Sequence, residues 1–131
     1  MPLGPGDLAR RYTELLGRVR AAEQAAGRPI GSTQLMAVSK GVDAERVAAA
    51  IDAGCRLFGE NRVQELEAKR AAVAVLRPAV ACTWVMIGPL QSNKVRRAVA
   101  VADRIATVGS IDLLERIVTI STDVGSRVEV A

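Results

Sequence analysis

The chain has 131 residues, half of them hydrophobic, with a formal charge of +4 and a pI near 9.7. That length and composition fit one soluble globular domain, residues 1–131, with enough apolar side chain for a core. Histidine is absent, which excludes catalysis by a histidine base, and the two cysteines, Cys55 and Cys82, lack CxxC spacing, so no metal site or disulfide framework is expected and both read as small core residues.

The opening stretch MPLGPGDLARRYTELL lacks the apolar centre of a secretory signal, and no apolar run approaches the ~20 residues needed to cross a bilayer, so a cytoplasmic protein without a membrane partner is expected. The arginines are scattered singly or in pairs with acids between them, and only Tyr12, Phe58 and Trp84 could stack on bases. The positive charge therefore reads as solvated surface, and no nucleic-acid partner is expected.

In chain order, Leu8, Tyr12, Leu15, Leu16 and Val19 share one helical face, with Asp7 as N-cap and Gly27 as the stop. A strand over Gln34 to Val38 follows, then a helix marked by Ala44, Val47, Ala48 and Ile51 that ends at Gly54. The unit repeats. CRLFG is a short strand, and Asn61 to about Leu76 is a helix opened by Asn61 and Gln64 in the manner of a capping box. CTWVMIG is a third strand, before a helix with Val95, Ala98, Val99 and Ala102 on one face. RIATVG is a fourth strand, Ser110 caps a helix carrying Leu114, Ile117 and Val118, and RVEVA begins a fifth strand.

Strands alternating with helices at this spacing indicate right-handed βαβ units around a parallel sheet. Two architectures satisfy the pattern: a five-stranded doubly wound open sheet, or the first half of a (β/α)₈ TIM barrel, which takes about 250 residues when whole. In both, ligands bind at the carboxyl ends of the strands, where SKG, GEN, IGPLQSNK and VGS fall.

Lys40, ending the first strand, is the sharpest candidate. Of the 18 basic residues only Lys40, Lys69 and Lys94 are lysines. Arginine cannot lose its proton in a protein, whereas lysine can become a neutral nucleophile, so each lysine is a candidate for chemistry. With an ordinary pKa of ~10.4, about one lysine in a few thousand is a free amine at pH 7, so desolvation or a second cation such as Lys94 or Arg96 would have to favour the neutral form. The chemistry of such an amine is imine formation. Asn61 and Glu60 supply an amide and a carboxylate at a helix start, and Ser92, Asn93 and Lys94 sit at another helix N-terminus, where free backbone amides favour anions.

LMAVSK, AGCRLFGENRVQELEAK, WVMIGPLQSNK and VGSIDLLERI occur in this order and spacing, and together they resemble the YggS/PROSC family of pyridoxal phosphate (PLP) homeostasis proteins, relatives of the alanine racemase barrel domain. The likeness runs from about Leu8 to the last residue. It implies the (β/α)₈ alternative, with an extra N-terminal helix, and a non-catalytic PLP carrier or regulator in which Lys40 holds the cofactor as a Schiff base. The resemblance places Asn61 in the cofactor pocket and Gly88, Gln91, Ser92, Asn93 and Lys94 in a signature loop near it. The chain departs from the family's usual pattern at Gly41, Val85, Pro89, Ala106 and Gly109. The resemblance also implies later strands whose loops grip the cofactor's phosphate, so the present residues read as a truncated or split member that holds PLP weakly and self-associates through the open half-barrel edge. Two rival readings are a racemase or lyase using Lys40 as nucleophile, and a binding module without cofactor.

Overall fold

The computed structural model describes residues 4–131, so the first three residues of the stretch read for a secretory signal lie outside the described residues. Five helices and five strands alternate as expected: α1 (Pro5–Ala25), β1 (Ala37–Val38), α2 (Ala44–Asp52), β2 (Leu57–Glu60), α3 (Val63–Leu76), β3 (Thr83–Met86), α4 (Val95–Val101, preceded by a 3₁₀ turn over Ser92–Lys94), β4 (Arg104–Ile105), α5 (Ile111–Val124) and β5 (Glu129–Val130). No described helix is long and apolar enough to cross a membrane.

The strands form one parallel sheet in the order β1-β2-β3-β4-β5. That order decides between the two architectures. A doubly wound sheet reverses direction at a switch point, whereas here every right-handed crossover moves the same way, so the helices fall on one face and each packs on the next. The sheet is also curled. One cavity of about 450 Å³ on its inner face is lined by Met36 beside β1, Leu57 of β2, Val85 of β3, Ile105 of β4 and Val130 of β5, so the first and last strands bend toward a common concave side. The fold is a partial (β/α) barrel, open between β5 and β1, with α1 added in front.

Alternation along the strands sorts the side chains. Phe58, Glu60, Trp84 and Met86 are buried, and Phe58 and Trp84 stack at 5.2 Å in the core between sheet and helices. Gly59 faces the other way, toward Met36 and Ile87 on the inner face. Val47 and Ile51 of α2, Leu66 of α3, Val95 and Val99 of α4 and Ile117 of α5 complete the core. Cys55 is fully buried and Cys82 packs against the core partly exposed; burial pushes both thiols above their ordinary pKa, as inert core cysteines require.

Several local expectations are corrected. Asp7 does not cap α1: Gly4 occupies that position with a proline just inside, and Asp7 lies in the first turn, paired with Arg10 at 2.8 Å. The first strand pairs only over Ala37–Val38, because it lies at the sheet edge and has one neighbour. The third helix starts at Val63 with Arg62 as N-cap and no side-chain cap bond, so Asn61 and Gln64 form no capping box. On α5 the buried residues are Ile117 and Ile120, while Leu114 and Val118 are 36% and 58% exposed along an open groove with Val128. Ser110 caps that helix as expected, accepting from the Leu113 N–H at 3.1 Å, and Asp43 caps α2 by accepting from the Arg46 N–H at 2.9 Å.

Candidate active site at the carboxyl rim of the sheet

Hydrogen bonding continues past the strand ends in step: Ser39 N–H donates to Gly59 O at 3.0 Å, Ile87 N–H to Glu60 O at 2.9 Å and Ala106 N–H to Met86 O at 2.9 Å. The segments after β1, β2 and β3 therefore leave the sheet at one level. Lys40 follows Ser39 and is exposed, and Gly41, at φ +70°, turns the chain into the loop before α2.

Lys40 shares a cleft of about 330 Å³ with Gly41, Asn61, Arg62 and Glu65. Asn61 and Arg62 also border a neighbouring cleft of about 290 Å³ lined by Gln64, Pro89, Gln91 and Lys94. Asn61 and Arg62 thus stand between the two clefts. The second cation beside Lys40 is thus Arg62, not the Lys94 or Arg96 expected; Lys94 lines the adjoining cleft, and Arg96 is exposed on α4 and borders neither.

The signature loop divides in function. Gln91 and Lys94 reach the second cleft. Gly88 lines neither: it is buried behind Asn61, where an added Cβ would lie 2.3 Å from the Asn61 carbonyl oxygen and 2.9 Å from its Cα. Close approach of two backbones, not an unusual φ, requires glycine there. Thr107 Oγ1 donates to Gly88 O at 2.6 Å and ties the end of β4 to the same turn. Ser92 and Asn93 are exposed outside both clefts, and Arg116 of α5 donates to Ser92 O at 2.8 Å.

Beneath Lys40 lies a buried ion pair that local pattern did not reveal. Glu60 is 0% exposed, and its Oε1 accepts from Lys69 Nζ at 2.6 Å and Ser39 Oγ at 2.8 Å. Sequence singles out each partner separately, Glu60 as a carboxylate at a strand end and Lys69 as one of three lysines, but not their pairing, since they stand nine residues apart, on a strand end and mid-helix.

A lysine just past the first strand's carboxyl end, beside a polar cleft at the rim of a singly wound parallel sheet, is the arrangement of a partial (β/α) barrel. The chain belongs to the alanine racemase N-terminal domain family, which it matches over residues 13–131. A pyridoxal phosphate homeostasis protein of Vibrio cholerae is 42% identical over 105 residues, 80% of this chain and 43% of that protein. One from Mycobacterium leprae is 34% identical over 125 residues, 92% of this chain and 48% of that protein. The chain thus spans about half the length of the curated relatives it matches. Among solved structures, an unknown protein from Bifidobacterium adolescentis superposes with a TM-score of 0.89 at 38% identity, over 96% of this chain and 54% of that one. PipY of Synechococcus elongatus, with PLP bound, gives 0.72 at 42% identity, over 86% and 51%. The resemblance seen in the sequence motifs is borne out.

Proposed function

We propose that this chain is the lysine-bearing half of a PLP homeostasis protein, a cytoplasmic carrier or regulator of the cofactor and not an enzyme that turns over a substrate. The observation that carries the reading is the position of Lys40: an exposed amine at the carboxyl rim of β1, in a cleft shared with Asn61. The same family fold in PipY has PLP bound.

The donor set fits the cofactor: a primary amine for its aldehyde, an amide at Asn61 for the hydroxyl oxygen carried on its pyridine ring, and the Arg62 guanidinium, with Lys94 beyond, for an anionic group. When bound, PLP supplies an aldehyde and an electron-withdrawing ring. Lys40 would hold the group through its amine, which would condense with that aldehyde and release its oxygen as water, with no change of oxidation state. Glu65 borders the same cleft. Asn61, Gln91 and Lys94 act through their side chains, Gly88 through its packing behind Asn61, and Ser92 and Asn93 through the turn that carries Lys94.

Self-association belongs to the same reading. β1 and β5 are edge strands, and Val38 and Val130 on them are 47% and 43% exposed, an apolar edge that a second copy would cover. Sedimentation should show a mass that rises with concentration; a monomer at every concentration contradicts this part.

The test of cofactor binding is borohydride reduction after mixing with PLP, followed by peptide mass analysis. The label is expected on Lys40 and is lost in Lys40→Ala. A label on Lys69 or Lys94 with Lys40 untouched overturns the assignment.

A further inference from the structure

Every polar group of Ser39 is engaged. Its N–H donates to Gly59 O at 3.0 Å, and its Oγ donates to Glu60 Oε1 at 2.8 Å. Its carbonyl accepts from Lys69 Nζ at 2.5 Å and from the Val42 N–H at 3.0 Å. The Ser39 carbonyl belongs to the peptide unit that starts Lys40, so the Lys69 ammonium holds that unit directly. On the other side, Glu60 immediately precedes Asn61 and ends β2. One buried pair therefore grips the residues before both Lys40 and Asn61, the two sides of the cleft. Glu60 is fully buried, the Lys69 side chain is 11% exposed, and Glu60 Oε2 is buried without a hydrogen-bond partner.

A buried ion pair is weak evidence for stability, because taking two charges out of water costs about as much as their attraction returns. The geometry gives the pair a second role, because a cation and an anion locked together act as one rigid polar wedge between two strand ends and α3, directional where apolar packing is not. We infer that Lys69 and Glu60 are positioning residues, which set the Ser39–Lys40 peptide so that the Lys40 amine is presented to the Asn61 cleft. This inference rests on the reading of Lys40 as the PLP-binding amine. Neither Lys69 nor Glu60 lines the cleft; both act through Ser39 and the backbone.

The experiment compares the parent chain with Lys69→Met, Lys69→Arg and the double variant Glu60→Gln/Lys69→Met. Each is mixed with PLP across a range of pH, reduced with borohydride, and read by peptide mass for label on Lys40. Reductive methylation by formaldehyde, which needs only an accessible amine, is run in parallel. Lys69→Met is expected to lower PLP labelling of Lys40 at least tenfold and to change its pH profile, while leaving Lys40 methylation unaltered. Lys69→Arg, which can still donate to both oxygens, is expected to recover most of the labelling. Where Lys69→Met alone fails to melt cooperatively, the double variant, which leaves no uncompensated buried charge, carries the comparison and is expected to show the same selective loss. Parental labelling and an unchanged pH profile in a folded variant lacking the Lys69 ammonium overturn the inference, and so does equal loss of both reactions. Absence of PLP label on Lys40 in the parent chain overturns instead the reading on which it rests.

Discussion

Gly88→Ala tests whether the signature loop works by packing. Its new Cβ would sit 2.3 Å from Asn61 O, 2.9 Å from Asn61 Cα and 3.0 Å from Asn61 C, all backbone atoms. Carbon and oxygen approach comfortably only to ~3.3 Å, so one backbone must retreat by roughly 1 Å. Overpacking costs about 1–3 kcal/mol, and a clash with backbone on both sides belongs at the upper end, about 3 kcal/mol. For a chain of this size that lowers Tm by roughly 10 °C. Gly59→Ala is the internal control. There the new Cβ would lie 3.1 Å from Ile87 Cδ1 and 3.1 Å from Met36 Sδ, both ends of flexible side chains, so the cost should stay below about 1 kcal/mol. Thermal melts by far-ultraviolet circular dichroism measure both, and PLP labelling of Lys40 should fall with Gly88→Ala because Asn61 is pushed from its place. Equal Tm losses in the two variants, or a Gly88→Ala melt within the ~3 °C that about 1 kcal/mol would give, would refute the packing argument.

Three further outcomes follow from the fold. Glu23 is 3% exposed; burial pushes its pKa up, but hydrogen bonds from the Gly31 N–H, Arg20 and the Thr33 N–H outweigh burial and hold it at about 2. A depressed carboxyl contributes stability that is complete above its unfolded pKa of ~4.3 and lost as pH falls through the folded value, so acid titration should loosen the 31–33 loop between about pH 4 and 2, and Glu23→Gln should flatten that part of the curve. Phe58→Ala removes a ring that is 1% exposed and stacked on Trp84, and urea denaturation should show a loss of about 3–5 kcal/mol. Ser110→Ala deletes the α5 cap and should cost about 1 kcal/mol by the same assay, with no change in PLP labelling of Lys40.

What could be read in the sequence was whatever repeats locally. The βα alternation, the Ser110 cap and the apolar faces of α2 and α4 follow from spacing within a dozen residues, and the structure has them. Strand order could not be read this way, because doubly wound and singly wound sheets share one local pattern; the motif resemblance, not periodicity, pointed to the barrel. The start of α1 is set locally by the proline after Gly4, whereas the start of α3 has a long-range cause. Asn61 looks like a cap, but its backbone is wedged against Gly88, 27 positions on, and helix α3 begins two residues later. Leu114 and Val118 carry the right period on α5 and still stay exposed, since periodicity shows which face is apolar and not whether anything covers it. Lys40 was found by its place at a strand end, whereas Glu60–Lys69 needed the fold to bring them together.

The buried pair also bears on how such a cleft is held. Taking a carboxylate and an ammonium out of water is costly, and a buried pair can often be replaced by apolar residues without loss of stability, although removing one partner typically costs about 3–5 kcal/mol. Stability alone is therefore weak ground for an ion pair beneath Lys40. An apolar pair of the same volume could fill the space between β2 and α3, but it could not donate to the Ser39 carbonyl or accept from the Ser39 hydroxyl, both of which the pair does. Without those bonds the end of β1 is held by its ladder to β2 and by the local turn bond from the Val42 N–H to the Ser39 carbonyl, and β1 is a two-residue edge strand with a neighbour on one side. A lysine on so short an edge needs its preceding peptide fixed by something besides the sheet. On the Asn61 side, Gly88 supplies the corresponding restraint by backbone contact. The cleft is thus set by one polar and one steric lock, and each can be broken separately, by Lys69→Met and by Gly88→Ala.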